Sequence, residues 1–226
     1  MGIGDNIKPI ISKIGTLEYE GISASVISQD ESVSPTDEDC MVIILADEHR
    51  DTATDIAKSF YQAGVLTLII STAPIISTTS FCDSQSITDI ESMYNDVKAI
   101  LDIITKHGYI CLDFNDISLT LRNSGFFKII ETVGKEDGSR VADAISKIDR
   151  KFSNHEIASV ERIITSIFFN RDMQPTLTMN EIKPLSDFLS NFSDEITSLW
   201  GIFHDENMTI GEVRLSTIVA GKDLKL

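Results

Sequence analysis

Gly108-Tyr109-Ile110-Cys111-Leu112-Asp113-Phe114-Asn115-Asp116 decides how this chain is read. It follows a long apolar-periodic segment and sets two carboxylates three residues apart, behind a short apolar run expected to be a buried strand or turn. By residue type alone the pair has two readings. Asp113 and Asp116 are solvated loop acids, the second capping the next helix, or they are an acid pair doing chemistry on a ligand. The flanking sequence has to choose.

Upstream, Met93, Val97, Ile100, Leu101, Ile103 and Ile104 share one stripe, which predicts a long helix from Ile90 to Lys106, stopped near Gly108. Before it, Cys40 to Ala46 is a continuous apolar run, the pattern of a parallel strand buried on both faces. Thr52 to Gln62 reads as a helix with Gly64 at its C-terminal cap. Val65 to Thr72 is a second buried strand, ended by Pro74. Strand, helix and strand make a right-handed crossover in a parallel sheet. Ile7, Ile10, Ile11 and Ile14 lie on one face of a short helix, Gly21 to Ser28 alternates like a strand, and Ser77 to Ser86 reads as a polar connector.

Downstream the expected elements are a short helix over Ile117 to Leu121, a strand over Gly125 to Val133, and a turn over Gly134 to Ser139. Ser139 is placed to cap a helix from Arg140 to Ile148. A strand over Ile157 to Asn170 and a helix from Asn180 through Phe192 follow. Leu199 to His204 and Glu212 to Ala220 read as strands around an acidic turn of Asp205, Glu206 and Asn207, with Trp200 and Phe203 assigned to the core. The fold class is therefore α/β: a parallel-sheet domain over 1–89, a central helix and connector over 90–112, and a smaller α+β domain over 113–226.

Composition narrows the function. A chain of 226 residues with 42% hydrophobic residues buries a real core. A net charge of −16 argues against nucleic acid and against docking on anionic lipid. No apolar run reaches the roughly 18 residues that span a bilayer, and no export signal opens the chain, so the expected location is the cytoplasm without direct membrane insertion. Met1-Gly2 opens like a myristoylation start but lacks the Ser or Thr that should follow. Cys40, Cys82 and Cys111 fit reduced core thiols better than disulfides or a zinc site. His49, His107, His155 and His204 are scattered, without ligand spacing, so no metal is expected. Gly134 to Gly138 lacks the Gly-Lys-Ser/Thr ending of a phosphate loop.

With these elements placed, the sequence resembles the FtsZ/tubulin family. The opening stretch is similar to the family's loop after the central helix, commonly G-L-I-N-x-D-F-A-D-V. Gly134-Lys135-Glu136-Asp137-Gly138-Ser139-Arg140 resembles its G-x-x-x-G-x-x-R segment, and Leu177-Thr178-Met179-Asn180-Glu181-Ile182 its L-T-L-x-E-V turn. Glu212-Val213-Arg214-Leu215-Ser216-Thr217-Ile218-Val219-Ala220-Gly221 resembles the last strand, E-V-R-V-T-V-I-A-T-G.

The N-terminal half departs from the family where nucleotide chemistry needs it. Gly2 and Gly4 resemble a remnant of the first glycine-rich loop, with the preceding strand expected to be missing. The segment from Asp30 to Cys40 is short enough that a helix and a phosphate loop are expected to be gone. The Met41 to Ala46 strand should lead into G-G-G-T-G-T-G and leads instead into Asp47-Glu48-His49-Arg50-Asp51-Thr52-Ala53-Thr54. Glycines let backbone N–H groups converge on an anion; here Cβ atoms block that approach. The resemblance puts Asp47, Glu48 and Asp51 where phosphates would sit, although the same acids suit a helix N-terminus. A polar residue of the family's central helix aligns with Ile90, with Thr88 and Asp89 beside it. Lys225-Leu226 closes the sequence directly after the last strand, so the family's linker and adapter-recruiting peptide are not expected.

In the family the loop after the central helix enters the next subunit's nucleotide site, and its acids drive hydrolysis there. The resemblance thus implies catalytic positions at Asp113 and Asp116 and a partner interface of Cys111, Asp113, Phe114, Asn115 and Asp116. Cys111 replaces the usual Asn, which favours docking over hydrolysis. Three functions follow: a protein without cofactor that regulates assembly of an FtsZ-family partner in cell division or membrane remodelling, a compact self-assembling GTPase that binds GTP, or a nucleotide-independent homo-oligomer with a scaffolding role.

Overall fold

The computed structural model describes residues 1–28, 31–75, 81–135, 139–152, 157–193 and 195–224. The chain divides into two interleaved units, Met1–Leu101 with Leu121–Phe127, and Asp102–Thr120 with the segment from Lys128 onward.

The first unit is built from β1 (Gly2–Ile3), α1 (Lys8–Gly15), β2 (Val26–Ile27), β3 (Met41–Ala46), α2 (Arg50–Gln62), β4 (Leu66–Ser71), β5 (Ser84–Ile87) and most of α3 (Ile90–Thr105). Its strands run in the order β2-β1-β3-β4-β5 and pair in parallel. β3, α2 and β4 form the expected crossover, in register from Met41 opposite Leu66 to Ala46 opposite Ser71. All of β4 is buried, which is why its sequence shows no alternation. α2 lays Ala53, Ile56, Ala57 and Phe60 into a core shared with Val42, Ile44 and Ile69. Gly64, at φ +82°, ends that helix as the sequence implies.

Three expectations change in this unit. The alternating Gly21 to Ser28 stretch is a strand only at Val26–Ile27. The strand before the first loop, expected to be missing, is present in short form as β1, which pairs with both β2 and β3 and runs into Gly4. The polar connector contains the buried strand β5, with residues 76–80 outside the described set. Polar residues are tolerated there because they are satisfied internally. Asp83 accepts from the backbone N–H groups of Thr67 at 2.9 Å and Asn123 at 3.1 Å, and the Ser124 hydroxyl donates to Ser84 Oγ at 2.8 Å.

The second unit contains β6 (Gly108–Ile110), α4 (Phe114–Leu121, all but its last residue), the greater part of β7 (Gly125–Gly134), α5 (Arg140–Asp149), β8 (Arg162–Phe169), α6 (Met179–Leu189), β9 (Thr197–His204) and β10 (Val213–Gly221). Its order is β7-β10-β8-β9-β6, with β10 and β6 antiparallel to β8 and β9, and β8 parallel to β9. The strands from the last third thus form a mixed sheet, the α+β pattern expected there, in a unit that also takes in Asp102–Thr120.

Here too the details differ. β8 begins at Arg162 rather than Ile157. Ser139 takes the N-cap of α5 but makes no side-chain cap bond. Thr178 and Glu181 form a reciprocal capping box that starts α6. Phe203 is buried and stacks on Phe168 at 5.1 Å, whereas Trp200 is only half-buried. β6 is not buried: Tyr109 is 67% exposed, because the strand is three residues long and lies at the sheet edge. Asp205, in the expected acidic turn, is buried and ion-paired.

Two family-like segments meet inside this unit. Arg140, 1% exposed, forks onto Glu181 at 2.9 and 2.8 Å and donates to the Pro175 carbonyl at 3.3 Å. The bidentate geometry and the extra acceptor offset the desolvation that a buried pair incurs.

Candidate functional site

Parallel α/β sheets bind ligands outside the carboxyl ends of their strands. In the first unit that edge carries Gly4, Asp5 and Asn6 after β1, Asp47 to His49 after β3, Thr72 after β4, and Thr88 and Asp89 after β5. Asp47 ties three of these strand ends together. It accepts from Asn6 Nδ2 at 3.0 Å and from the Thr72 hydroxyl at 2.6 Å. Those bonds, Thr72's first, hold its carboxyl below the ordinary value of 3.8, so it is charged at neutral pH. The Ser92 backbone N–H does the same for Asp89, donating at 2.7 Å. Beside them an open cleft of about 940 Å³ is lined by Thr72, Ile87, Thr88, Asp89, Ile90 and Glu91.

The two glycines of this edge have packing reasons of their own. A Cβ on Gly2 would fall 2.4 Å from Ile11 Cγ1 and 2.5 Å from Ile7 Cγ2, so Gly2 lets α1 close on β1. Gly4 adopts φ +104°, and a Cβ there would lie 3.3 Å from the His49 ring. α2 starts at His49 with no side-chain cap bond, and Asp51 occupies its first turn. The edge therefore presents fixed carboxylates at the strand ends.

The loop of the second unit is organised differently. Asp113 Oδ1 accepts from the backbone N–H groups of Asn115 at 2.7 Å and Asp116 at 3.2 Å, while Asp116 Oδ2 accepts from Asp113 N–H at 2.8 Å. This is a capping box made of two aspartates, with Asp113 rather than the expected Asp116 at the N-cap of α4. The box explains why the acids stand three apart, and it makes the loop a pre-shaped projection. Cys111, Asp113 and Asn115 are exposed, while Phe114 and Asp116 are half-buried. The five residues expected at the interface are neighbours in sequence and lie just before α4 and in its first turn.

The thiols divide unexpectedly. Only Cys82 is a core thiol, and burial first, then Asp83, pushes it up to about 12, whereas Cys40 and Cys111 are exposed. Among the described residues no group of His, Cys, Asp and Glu is placed to hold a metal ion. His155 and Glu136 to Gly138 lie outside the described residues. No described helix is long and apolar enough to cross a membrane.

Sequence reading missed the cluster at the root of the loop. Arg214 bonds Asp102 Oδ2 and Glu131 Oε1, each at 2.6 Å, and Asp205 Oδ2 at 3.2 Å. The signal was present: Asp102 and Lys106 are charged residues one turn apart at the end of an otherwise apolar helix stripe.

No protein-family model matches the sequence. The chain is 25% identical over 136 residues to the cell division protein FtsZ of Porphyromonas gingivalis, covering 59% of this chain and 29% of that protein. It is 27% identical over 143 residues to the mitochondrial division protein fszA of Dictyostelium discoideum, covering 62% and 26%. The chain thus spans under a third of the length of these curated relatives. Among solved structures, an empty FtsZ dimer from M. jannaschii superposes with a TM-score of 0.66 at 19% identity, covering 81% of this chain and 64% of that one. GDP-form protofilaments of TubZ from Bacillus thuringiensis serovar israelensis give 0.56 at 12% identity, covering 79% and 60%. The chain has an FtsZ/tubulin-like fold.

Proposed function

We propose that this chain is an FtsZ-like protein that does not bind GTP. It acts in the cytoplasm as an assembly or scaffolding partner in cell division or membrane remodelling. Its Cys111–Asp116 loop docks on the nucleotide face of an FtsZ-family protein. The observation that carries this reading is Asp47, a carboxylate hydrogen-bonded across three strand ends where a phosphate loop would offer glycine N–H groups. A carboxylate about 5 Å from a phosphate charge costs roughly 3 kcal/mol at an effective dielectric near 20, before salt screening. Arg50 offsets part of that. The loop, by contrast, is pre-shaped by its own capping box, so docking orders little new backbone.

Calorimetric titration with GTP and magnesium is expected to give no heat. A binding isotherm would overturn the loss of GTP binding and favour the compact GTPase. Titrating the chain into polymerising M. jannaschii FtsZ is expected to change assembly or turnover, and Asp113→Asn/Asp116→Asn to abolish that change. No effect by the wild-type chain would sink the docking reading. A second reading, a homo-oligomer using the same loop, is favoured by the dimer and protofilament context of its structural neighbours. Light scattering over a concentration series separates the two: a mass that stays monomeric leaves only a heterologous partner.

A further inference from the structure

The charged cluster around Arg214 does more than fill space in the second unit. Its guanidinium touches Asp102 on α3, Glu131 on β7 and Asp205 just past β9, and lies 4.0 Å from the Phe168 ring centroid. Asp205 in turn holds Lys106 Nζ at 3.1 Å. Asp102 is fully buried and Asp205 nearly so, so their charges need these cations.

What leaves this cluster is the docking loop. Asp102 and Lys106 sit one turn apart, joined by the Lys106 N–H to Asp102 carbonyl bond of 2.9 Å. The next residue, His107, accepts at its carbonyl from His204 N–H at 2.8 Å, and β6 then runs along β9 into Cys111–Asp116. β6 has little packing of its own. Its exposed Tyr109 rests on His204 and Phe169, at 4.8 and 6.1 Å between ring centroids. Those rings are sequence neighbours of Asp205 and Phe168, two members of the cluster. The register of this short, irregular edge strand therefore depends on anchors at its root.

We infer that Arg214 is the positioning residue of the Cys111–Asp116 loop: by pinning the last turn of α3 to the turn after β9, it sets where β6 delivers the loop. The inference rests on the docking reading for its consequence, but its physical content is independent of any partner.

Amide hydrogen exchange on the full chain tests it. Lys106→Met removes only the outer link and leaves Arg214 with its three carboxylates, so the chain keeps its fold. Arg214→Met removes the hub, and Arg214→Lys keeps the charge without the fork. In Arg214→Lys the amides of 108–113 and of His204 are expected to exchange at least tenfold faster, with those of α5 and β8 unchanged. Arg214→Met gives a larger local effect, and Lys106→Met, which keeps the hub, a smaller one than Arg214→Lys. Docking to M. jannaschii FtsZ should weaken at least tenfold although the loop sequence is intact. Unchanged exchange in Arg214→Lys, or acceleration by one common factor throughout the second unit, overturns the inference. Local acceleration with no docking by the wild-type chain upholds the positioning and sinks the docking reading alone.

Discussion

Two segments of this molecule put acids in front of a helix, and they use them in opposite ways. Ahead of α2, Asp47 reaches sideways to Asn6 and Thr72 and holds a negative charge at the carboxyl edge of a parallel sheet. Ahead of α4, Asp113 and Asp116 turn back on their own backbone and hold a loop in a projecting shape. The residue types are nearly the same. What differs is the partner within reach: side chains from other strands in the first case, the helix's own N–H groups in the second. Acids that bridge strands make the sheet edge negative, whereas acids that cap a helix shape the loop they belong to.

The comparison can be broken most severely at the frame that carries the loop's unit. Arg140→Met would strand Glu181 as a buried carboxylate, and loss of one partner of such a pair costs about 3–5 kcal/mol. Urea unfolding should show that loss, and a change below about 1 kcal/mol would mean the pair contributes little. A smaller effect separates capping from charge in the loop itself. Asp113→Ala removes the cap and should cost about 1 kcal/mol, whereas Asp113→Asn keeps an oxygen acceptor and should cost only a few tenths. Both remove the charge, so both should weaken docking. Equal stability of the two variants would deny that Asp113 acts as a cap.

The smallest effect concerns Asp47. Its folded pKa lies below the ordinary 3.8, so its contribution to stability is present above 3.8 and is lost as pH falls through the lower folded value. Asp47→Asn, a change at a half-buried site that keeps the side chain's size, should alter stability at neutral pH by no more than about 0.5 kcal/mol. Below pH 3.8 the wild-type chain should lose stability faster than the variant. Parallel acid titrations would show that the bonds from Thr72 and Asn6 do not favour the charged form.

Much of the fold was legible because its strongest patterns are local. The unbroken runs at Met41–Ala46 and Leu66–Ser71, the periodic stripe of α3 and the glycine after α2 each name one element. Errors fell where an element owes its existence to distant partners. β5 is polar in sequence yet buried, because Asp83 and Ser84 are bonded by Thr67, Asn123 and Ser124. Tyr109 reads as core but lies exposed, because β6 is a three-residue edge. The acid loop was legible as a segment through the spacing of Asp113 and Asp116. Its anchor was not, since Arg214 lies 112 residues from Asp102 in the chain.

The sequence by itself determined the parallel crossover, the long helix after it and the mixed α+β pattern of the last third. Periodicity, breakers and residue size act over a few residues, so they can be read without a structure. Only the tertiary structure decided that Gly2 and Gly4 serve packing and turning, that Asp47 bridges three strand ends, and that Asp113 caps α4. It alone joined Arg214 to the root of the loop. Those are matters of which side chains meet across the sheet, and a buried charge finds its counter-ion in space, whatever its distance along the chain.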